Sequence, residues 1–319
     1  MEHKNILGAP SATRAVVVGG GTMGADVAVV LLRAGCRVDV VESRAEAHAG
    51  IHEKVSGNLA AIGRQDGAGL LRVVATLQEV QWPQTDLVIE CIPEVLEYKR
   101  KLFASLVELA PAHALLASNS SSFPISQVSE GLPTRERMLG LHFFMPAHIV
   151  PLAEVVMGPD TDPELAQGLY VFIRRCGSVP IMVRKDVPGF VGNRLQHALG
   201  REAFSMIQDG IVSAEDIDNA VRFGFGFRYV AAGPILQKEH AGFDVHAAAA
   251  ATIYPSLSNA SAPPSVLADK PRDGHLGMKT GQGFYSWTPE KIATERARYD
   301  KALRAGLDIL AADLPPIEP

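Results

Sequence analysis

A histidine and a glutamate interrupt two apolar runs near the middle of this 319-residue chain. His142 lies within residues 140–144 (GLHFF) and Glu154 within residues 152–156 (LAEVV), and both runs have the composition of buried strands. A carboxylate in a buried strand is costly unless it is paired, so a pair on neighbouring strands would satisfy both residues. Such a pair fixes the imidazole tautomer and strengthens the ring as a general base, which suits the oxidation of an alcohol. The alternative is a core histidine with one hydrogen bond, which is commoner for a lone histidine.

A glycine-rich stretch near the N-terminus indicates a dinucleotide site. The six residues GGGTMG fit the pattern GxGxxG, directly after a predicted strand and at the start of a predicted helix. The first glycine would allow the tight turn, the second would let the backbone approach a pyrophosphate, and the third would let helix and strand pack closely. The free N–H groups of the helix N-terminus would attract the phosphates. The expected cofactor loop comprises Gly19, Gly21, Thr22, Met23 and Gly24.

A carboxylate follows the second predicted strand at the position that usually selects the nucleotide. Glu42 comes 21 residues after Gly21 (42 − 21), where it would hold the adenosine ribose hydroxyls. It would also repel a 2′-phosphate, so the sequence favours NAD over NADP. Arg44 lies close enough to keep NADP open, and FAD is a further alternative, although the rest of the chain matches no flavoprotein pattern.

Predicted strands alternate with predicted helices up to residue 184. The strands cover Arg14–Val18, Arg37–Val41, 86–91, 114–117, 138–144, Leu152–Met157 and Val179–Val183, and the helices cover 22–34, 97–109 and Pro163–Arg175. This alternation predicts an α/β domain, with a Rossmann-type doubly wound sheet that is mostly parallel and covered on both faces.

After residue 184 the pattern becomes helical only. Helices are predicted over 190–208, 217–223, 247–254 and 290–311, and residues 255–283 are predicted to form a long ordered loop at best. We therefore expect an NAD-binding domain over residues 1–184 and an all-α domain for substrate binding and dimerisation over residues 185–319.

Composition and charge exclude several classes of partner. The net charge of −5, without a run of five or more like charges, argues against nucleic acid. The chain has no apolar stretch of about 18 residues and no secretory signal, which argues against a membrane protein. The cysteines Cys36, Cys91 and Cys176 show no CxxC spacing, so we expect free thiols, a cytoplasmic location and no metal site.

Further motifs resemble the 3-hydroxyacyl-CoA dehydrogenase superfamily from about residue 14 to residue 287. They are residues 118–122 (SNSSS), 140–144, 152–156, 186–194 (DVPGFVGNR) and 279–285 (KTGQGFY). The resemblance implies an NAD-dependent dehydrogenase that acts on a CH–OH group of a 3-hydroxy acid or 3-hydroxyacyl substrate and forms a homodimer.

The resemblance also implies roles for the matched residues. His142 would take the hydroxyl proton while hydride passes to the nicotinamide, and Glu154 would orient His142. Ser121 and Asn193 would hydrogen-bond the reacting oxygen of the substrate or His142. Three further residues would lie beside the cofactor, namely Glu94, Lys99 and Asn119. Without the family, local roles would be favoured: a turn or cap for the serine, a helix start for the asparagine and a solvated helix charge for the lysine.

Three departures from the acyl-CoA pattern concern the substrate. Met145 stands where those enzymes usually carry an asparagine, and the segment after Glu42 is short and poor in the bases that a CoA tail requires. Arg228, within residues 224–229 (GFGFRY), could clamp a substrate carboxylate or could be a paired surface arginine. These features favour the branch that oxidises free hydroxy acids, such as L-carnitine dehydrogenase, L-gulonate 3-dehydrogenase (lambda-crystallin) and the pyridine-carboxylate dehydrogenase of vitamin B6 degradation.

Two other functions stay open at this point. One is the oxidation of an aldehyde, as in the pyridine-carboxylate enzyme, with the hydrated aldehyde as hydride donor and the same histidine as base. The other is a non-catalytic, crystallin-like protein that binds the cofactor. Retention of both His142 and Glu154 argues against the second alternative.

Overall fold

The computed structural model describes residues 7–319, which form two compact units. The first unit contains the residues up to Asn193 together with Asp313–Pro319, and the second contains Arg194–Ala312. The domain boundary expected after residue 184 falls inside the first unit, ahead of Asn193. The last residues of the chain return to the first unit, where Glu318 N–H donates a hydrogen bond to the carbonyl of Arg175.

Within the described residues, the first unit is built on an eight-stranded sheet. Its strands are β1 (Arg14–Val18), β2 (Arg37–Val41), β3 (Leu71–Val74), β4 (Leu87–Glu90), β5 (Leu115–Ser118), β6 (Met138–Phe143), β7 (Leu152–Met157) and β8 (Val179–Val183). The order is β3-β2-β1-β4-β5-β6-β7-β8, and β1 to β6 are parallel. β7 is antiparallel to β6, and β8 is parallel to β7. The Rossmann-type sheet is thus confirmed, with β3 as an additional short edge strand that the sequence pattern did not predict.

Helices cover both faces of this sheet. They are α1 (Thr22–Leu32), α2 (His48–Ala61), α3 (Leu96–Leu109), α4 (Ile125–Val128) and α5 (Pro163–Arg175). Successive strand residues face opposite cores, as the pleat requires. Val17 packs in the core that contains residues of α1, α2 and α5, whereas Val16 and Val18 pack in the core that contains residues of α3 and α4. α1 is apolar nearly all round and nearly all of it is buried, as expected for a helix of that composition.

The strand order reverses between β1 and β4. In an open parallel sheet this reversal leaves a crevice outside the carboxyl ends of the strands, where ligands bind. The glycine-rich turn after β1 and Cys91 after β4 lie at this point, and Gly19 N–H donates a hydrogen bond to the carbonyl of Val41. The fold therefore places the predicted cofactor loop at the switch point of the sheet.

Residues 192–310 form the remaining helices. They are α6 (Gly192–Gln208), α7 (Ala214–Ala220), α8 (Gly226–Arg228), α9 (Pro234–Ala241), α10 (Phe243–Ile253), α11 (Ser265–Arg272) and α12 (Pro289–Leu310). Ser213 caps the N-terminus of α7, because its side chain accepts the N–H of Asp216. None of the helices formed by the described residues combines the length and the apolarity that crossing a bilayer requires.

Two predictions for this helical part are wrong in detail. Residues 255–283 contain α11 and are not a continuous loop. This helix is short and contains Pro271, so the composition of the segment did not predict it. The long helix α6 starts at Gly192, later than the predicted residue 190, because Phe190 has a positive φ of 48° and so cannot belong to a right-handed helix.

Candidate active site

His142 and Glu154 face each other across the antiparallel pair β6–β7. They are register partners, and the His142 Nδ1 atom lies 2.7 Å from Glu154 Oε2. His142 is 4% exposed and Glu154 is 0% exposed. The two polar residues that the sequence placed in buried strands are therefore in direct contact.

The surroundings of Glu154 hold its carboxyl group in the ionised form. Its second oxygen, Oε1, accepts the backbone N–H groups of Val191 and Gly192, each at 2.9 Å. Burial alone would raise the pKa of Glu154, but the hydrogen bonds from His142, Gly192 and Val191 outweigh it and lower that pKa below its ordinary value. An ionised carboxylate accepts the Nδ1–H of His142, which leaves Nε2 as the nitrogen that can take a proton.

A cavity of about 390 Å³ opens beside this pair within the first unit. Phe144 lines it and packs edge-on against the ring of His142, at 4.7 Å between ring centroids. Met145 also lines the cavity and is exposed. The structure brings to this one cavity seven of the residues predicted to act in catalysis or to bind cofactor or substrate: Met23, Glu94, Lys99, Asn119, Ser121, His142 and Asn193.

The amide and hydroxyl side chains at the cavity have local partners. Asn119 Oδ1 accepts the backbone N–H of Phe143 at 2.9 Å, which ties the end of β5 to the strand that carries the histidine. Asn193 Nδ2 donates to the carbonyl of Ser121 at 3.4 Å, and the Ser121 hydroxyl lies 3.5 Å from that of Ser122. The expected contacts of Ser121, Asn193 and Asn119 with substrate or cofactor stay predictions.

Lys99 is buried, and the reading of this residue as a solvated helix charge is wrong. Its side chain is 1% exposed, and Nζ lies 2.7 Å from Glu90 Oε1 and 3.1 Å from Glu94 Oε2. Glu90 also accepts the Ser118 hydroxyl at 2.6 Å and the N–H of Ile92 at 2.8 Å. Two carboxylates and one ammonium thus form a connected cluster at the cavity wall.

The sequence analysis did not identify two buried acidic residues. Glu90 ends the apolar strand β4, and Asp26 lies in the apolar helix α1. Asp26 Oδ1 lies 2.8 Å from Lys54 Nζ and 3.2 Å from His148 Nδ1. The signal that identified Glu154, a carboxylate inside an apolar run, was present for both residues.

The glycine loop has the geometry that a dinucleotide requires. Gly19 has a φ of +106°, and a Cβ atom at Gly24 would lie 1.8 Å from the carbonyl oxygen of Gly19. A Cβ at Gly21 would meet no atom of the described residues within 4 Å, so this backbone is open to a ligand. Gly21 is the N-cap of α1 and has no side chain that caps the helix, so phosphate oxygens can accept the terminal N–H groups.

Glu42 is paired with Arg44, the residue that left NADP as a possible cofactor in the sequence analysis. Arg44 donates from Nε to Oε1 at 2.9 Å and from a terminal nitrogen to Oε2 at 3.2 Å, and Gly20 N–H donates to Oε2 at 3.2 Å. The hydrogen bond from Arg44 outweighs burial and lowers the pKa of Glu42. The guanidinium is therefore paired with the ionised carboxylate beside the glycine loop, in keeping with NAD as the cofactor.

Arg228 belongs to the second unit, where it ends α8 and is exposed. It is not among the residues that line the cavity of the first unit. Its expected contact with a substrate carboxylate stays a prediction.

Two family models match this chain and together cover most of it. The model described as "3-hydroxyacyl-CoA dehydrogenase, NAD binding domain" matches residues 14–187. The model described as "3-hydroxyacyl-CoA dehydrogenase, C-terminal domain" matches residues 189–287. The glycine loop and the His142–Glu154 pair lie inside the first match.

Known relatives are similar over nearly the whole chain. The 5-formyl-3-hydroxy-2-methylpyridine 4-carboxylate 5-dehydrogenase of Mesorhizobium japonicum is 32% identical over 301 residues, which are 92% of this chain and 97% of that protein. A solved structure of such a 5-dehydrogenase, described as an NAD⁺ dependent dismutase, has a TM-score of 0.87 at 30% identity, covering 93% of this chain and 98% of the other. The (S)-3-hydroxybutyryl-CoA dehydrogenase of Ralstonia eutropha has a TM-score of 0.70 at 26% identity, covering 86% of this chain and 99% of the other.

Replacing Glu154 by glutamine should make the free energy of unfolding fall less steeply as the pH is lowered into the acid range. The pKa of Glu154 is lower in the folded chain than its ordinary value of 4.5, so its ionised form stabilises the fold above that value. This stabilisation is lost as pH falls through the folded pKa. Glu154→Gln should therefore lower the free energy of unfolding at pH 7 by roughly 2 kcal/mol, and lower it less at acid pH. Urea unfolding at pH values from 7 down to the acid limb measures this.

The matched control is Glu97→Gln, which removes a carboxylate that is 73% exposed and paired with Lys101. It should keep both the stability at pH 7 and the acid slope of the parent chain. Equal acid slopes for Glu154→Gln and Glu97→Gln would contradict the ionised, hydrogen-bonded state of Glu154.

Proposed function

This chain belongs to the 3-hydroxyacyl-CoA dehydrogenase family of NAD-dependent enzymes that act on CH–OH groups, and we propose that His142 is the base of its reaction and Glu154 the partner of that base. The observation that carries the proposal is their buried contact of 2.7 Å beside the cavity. A carboxylate in contact with a histidine at a cavity wall is the arrangement that general-base catalysis uses.

The proposed reaction follows from the arrangement in which Glu154 contacts His142 and His142 lines the cavity. Glu154 holds the Nδ1–H of His142, so Nε2 accepts the hydroxyl proton of the substrate. The glycine loop and Glu42 would hold NAD, which would supply the acceptor for the hydride that leaves the carbon bearing the hydroxyl. The alcohol thereby loses one proton and one hydride and becomes a carbonyl compound. The ionised Glu154 stabilises the positive charge that His142 gains in this step.

Replacing His142 by asparagine should lower kcat by roughly 100- to 10,000-fold, because the proton then has no positioned acceptor. The affinity for NADH, measured by fluorescence titration, should change by less than about two-fold, since the glycine loop is untouched. Unchanged NADH production from every alcohol that the parent enzyme oxidises would contradict the assignment of His142 as the base.

For the substrate, the proposal favours a free carboxylate over a CoA thioester. Lys54 and Arg44, two bases of the region after β2, are paired with Asp26 and Glu42 and offer no free cation to a CoA phosphate. Met145, whose thioether donates no hydrogen bond, lines the cavity. The TM-score of 0.87 against the pyridine-carboxylate enzyme, compared with 0.70 against the hydroxybutyryl-CoA enzyme, agrees with this choice.

Oxidation of an aldehyde is the second candidate, and it rests on the same likeness. The similar Mesorhizobium japonicum enzyme is named for a formyl-pyridine carboxylate. A hydrated aldehyde carries the CH–OH group that His142 would deprotonate, so the geometry of the site serves both reactions.

A substrate panel separates these alternatives. We expect NADH formation from a free 3-hydroxy acid, from carnitine or from an aromatic aldehyde that carries a carboxylate, and little from the CoA esters of 3-hydroxy acids. Acetoacetyl-CoA at low micromolar concentration should leave the rate unchanged. Inhibition by acetoacetyl-CoA, or preferred oxidation of a CoA ester, would contradict the assignment of a free acid.

The proposed enzyme is a homodimer, because the second unit has no core of its own among its described residues. Every residue from Arg194 to Ala312 is partly or fully exposed. Several large apolar side chains are more than half exposed, namely Phe223, Phe227, Ile235, Ile253, Tyr254 and Ile309. A folded unit that leaves this much apolar surface in water needs a partner, and a second copy is the commonest one.

Light scattering at micromolar concentration should therefore give about twice the mass of one chain. The dimer should persist at high salt, since burial of apolar surface is insensitive to screening. A monomer at this concentration would contradict the dimer.

A cytoplasmic location completes the proposal. The three cysteines are free, and Cys36 and Cys176 are buried. Unpaired buried thiols are typical of chains that work in a reducing compartment.

A further inference from the structure

The cluster of Glu90, Lys99 and Glu94 at the cavity wall carries a net charge and has no role in the proposed proton transfer. Lys99 contributes one positive charge, and Glu90 and Glu94 contribute one negative charge each, so the sum is −1. Glu90 accepts hydrogen bonds from Lys99, Ser118 and the Ile92 backbone, which is the pattern of an ionised carboxylate. The charge of Lys99 is therefore balanced by a carboxylate that is fully buried behind it.

Glu94 lines the cavity and carries the negative charge of the cluster that Lys99 does not balance. It is 36% exposed, and its Oε1 atom accepts the Ser120 hydroxyl at 2.6 Å and the Ser122 N–H at 3.0 Å. Burial would raise the pKa of Glu94, but these bonds and the Lys99 ammonium outweigh it and lower that pKa. Glu94 is thus held ionised and in a fixed position.

We propose that the cluster of Glu90, Lys99 and Glu94 shifts the preference of the site towards the oxidised cofactor. This inference rests on the proposed function, in which hydride leaves a carbon next to His142. Reacting atoms must approach within about 3.5 Å, so the nicotinamide ring must enter the cavity that His142 and Glu94 both line. The ring carries a positive charge in NAD⁺ and none in NADH. A net charge of −1 at the cavity wall therefore stabilises NAD⁺ and has little effect on NADH.

The other titratable groups at the cavity do not cancel this charge. Cys91 is neutral, because burial and the neighbouring Glu90 raise the pKa of its thiol. Glu154 does not line the cavity, but it contacts His142, which does, and its negative charge acts in the same direction. Lys99 is the one cation that lines this cavity among the described residues, and Glu90 neutralises it.

The test compares two glutamines on the same part of the chain. Glu94→Gln removes the charge at the cavity and keeps an oxygen that can accept the Ser120 and Ser122 bonds. Glu97→Gln removes an exposed charge that Lys101 pairs. NADH affinity is measured by fluorescence titration and NAD⁺ affinity by calorimetry, both with the full-length protein and without substrate.

We expect the ratio of Kd for NAD⁺ to Kd for NADH to rise roughly ten-fold in Glu94→Gln, because that is the scale of the effect of one charge in a partly buried site. In Glu97→Gln this ratio should stay unchanged. Glu94→Asp keeps the charge, so its ratio should stay near that of the parent even if both affinities fall. An unchanged ratio in Glu94→Gln, or an equal loss of both affinities, would overturn the proposal. Because these are binding measurements, the result can be obtained even if His142 is not the base.

Discussion

The hydrogen bond between His142 and Glu154 is the interaction on which the rest of the site depends. It exists because β7 runs antiparallel to β6, which makes the two residues register partners. The reversal of direction after six parallel strands is therefore a requirement of the site as well as of the topology. A carboxylate at 0% exposure would be strongly destabilising without this partner, so the contact and the local fold stabilise each other.

Three further contacts fix the position of this pair. The backbone N–H groups of Val191 and Gly192 hold the second oxygen of Glu154, and Asn119 accepts the N–H of Phe143 beside the histidine. Glu154 thus cannot rotate away from His142 without the loss of two hydrogen bonds. A carboxylate held in this way fixes the orientation and the tautomer of the imidazole, as the proposed reaction requires. The charged cluster around Lys99 lies at the wall of the same cavity, so this cavity combines the proposed base with a group of net negative charge.

The parts of this arrangement that follow from local pattern could be predicted from the sequence. The strand that precedes the glycine loop, the loop itself and the pairing of His142 with Glu154 all rest on short runs of residues. Glu90 stands in an apolar run, as Glu154 does, but its partner does not lie on a neighbouring strand. Its partner Lys99 lies on a helix nine residues later (99 − 90), and only the three-dimensional fold shows that the two meet in the interior. The helix α11 was missed for a different reason, since proline-rich composition outweighed a short helical pattern.

In the proposed reaction Glu154 acts only through His142, and a double-mutant cycle on the rate of hydride transfer tests this. Single-turnover rates of NADH formation are measured for His142→Asn, Glu154→Gln and the double variant, on any alcohol that the parent enzyme oxidises. Residues that act as one unit give effects that are not additive. We expect the double variant to be no slower than His142→Asn alone. A double variant slowed by the full product of the two single effects would contradict it.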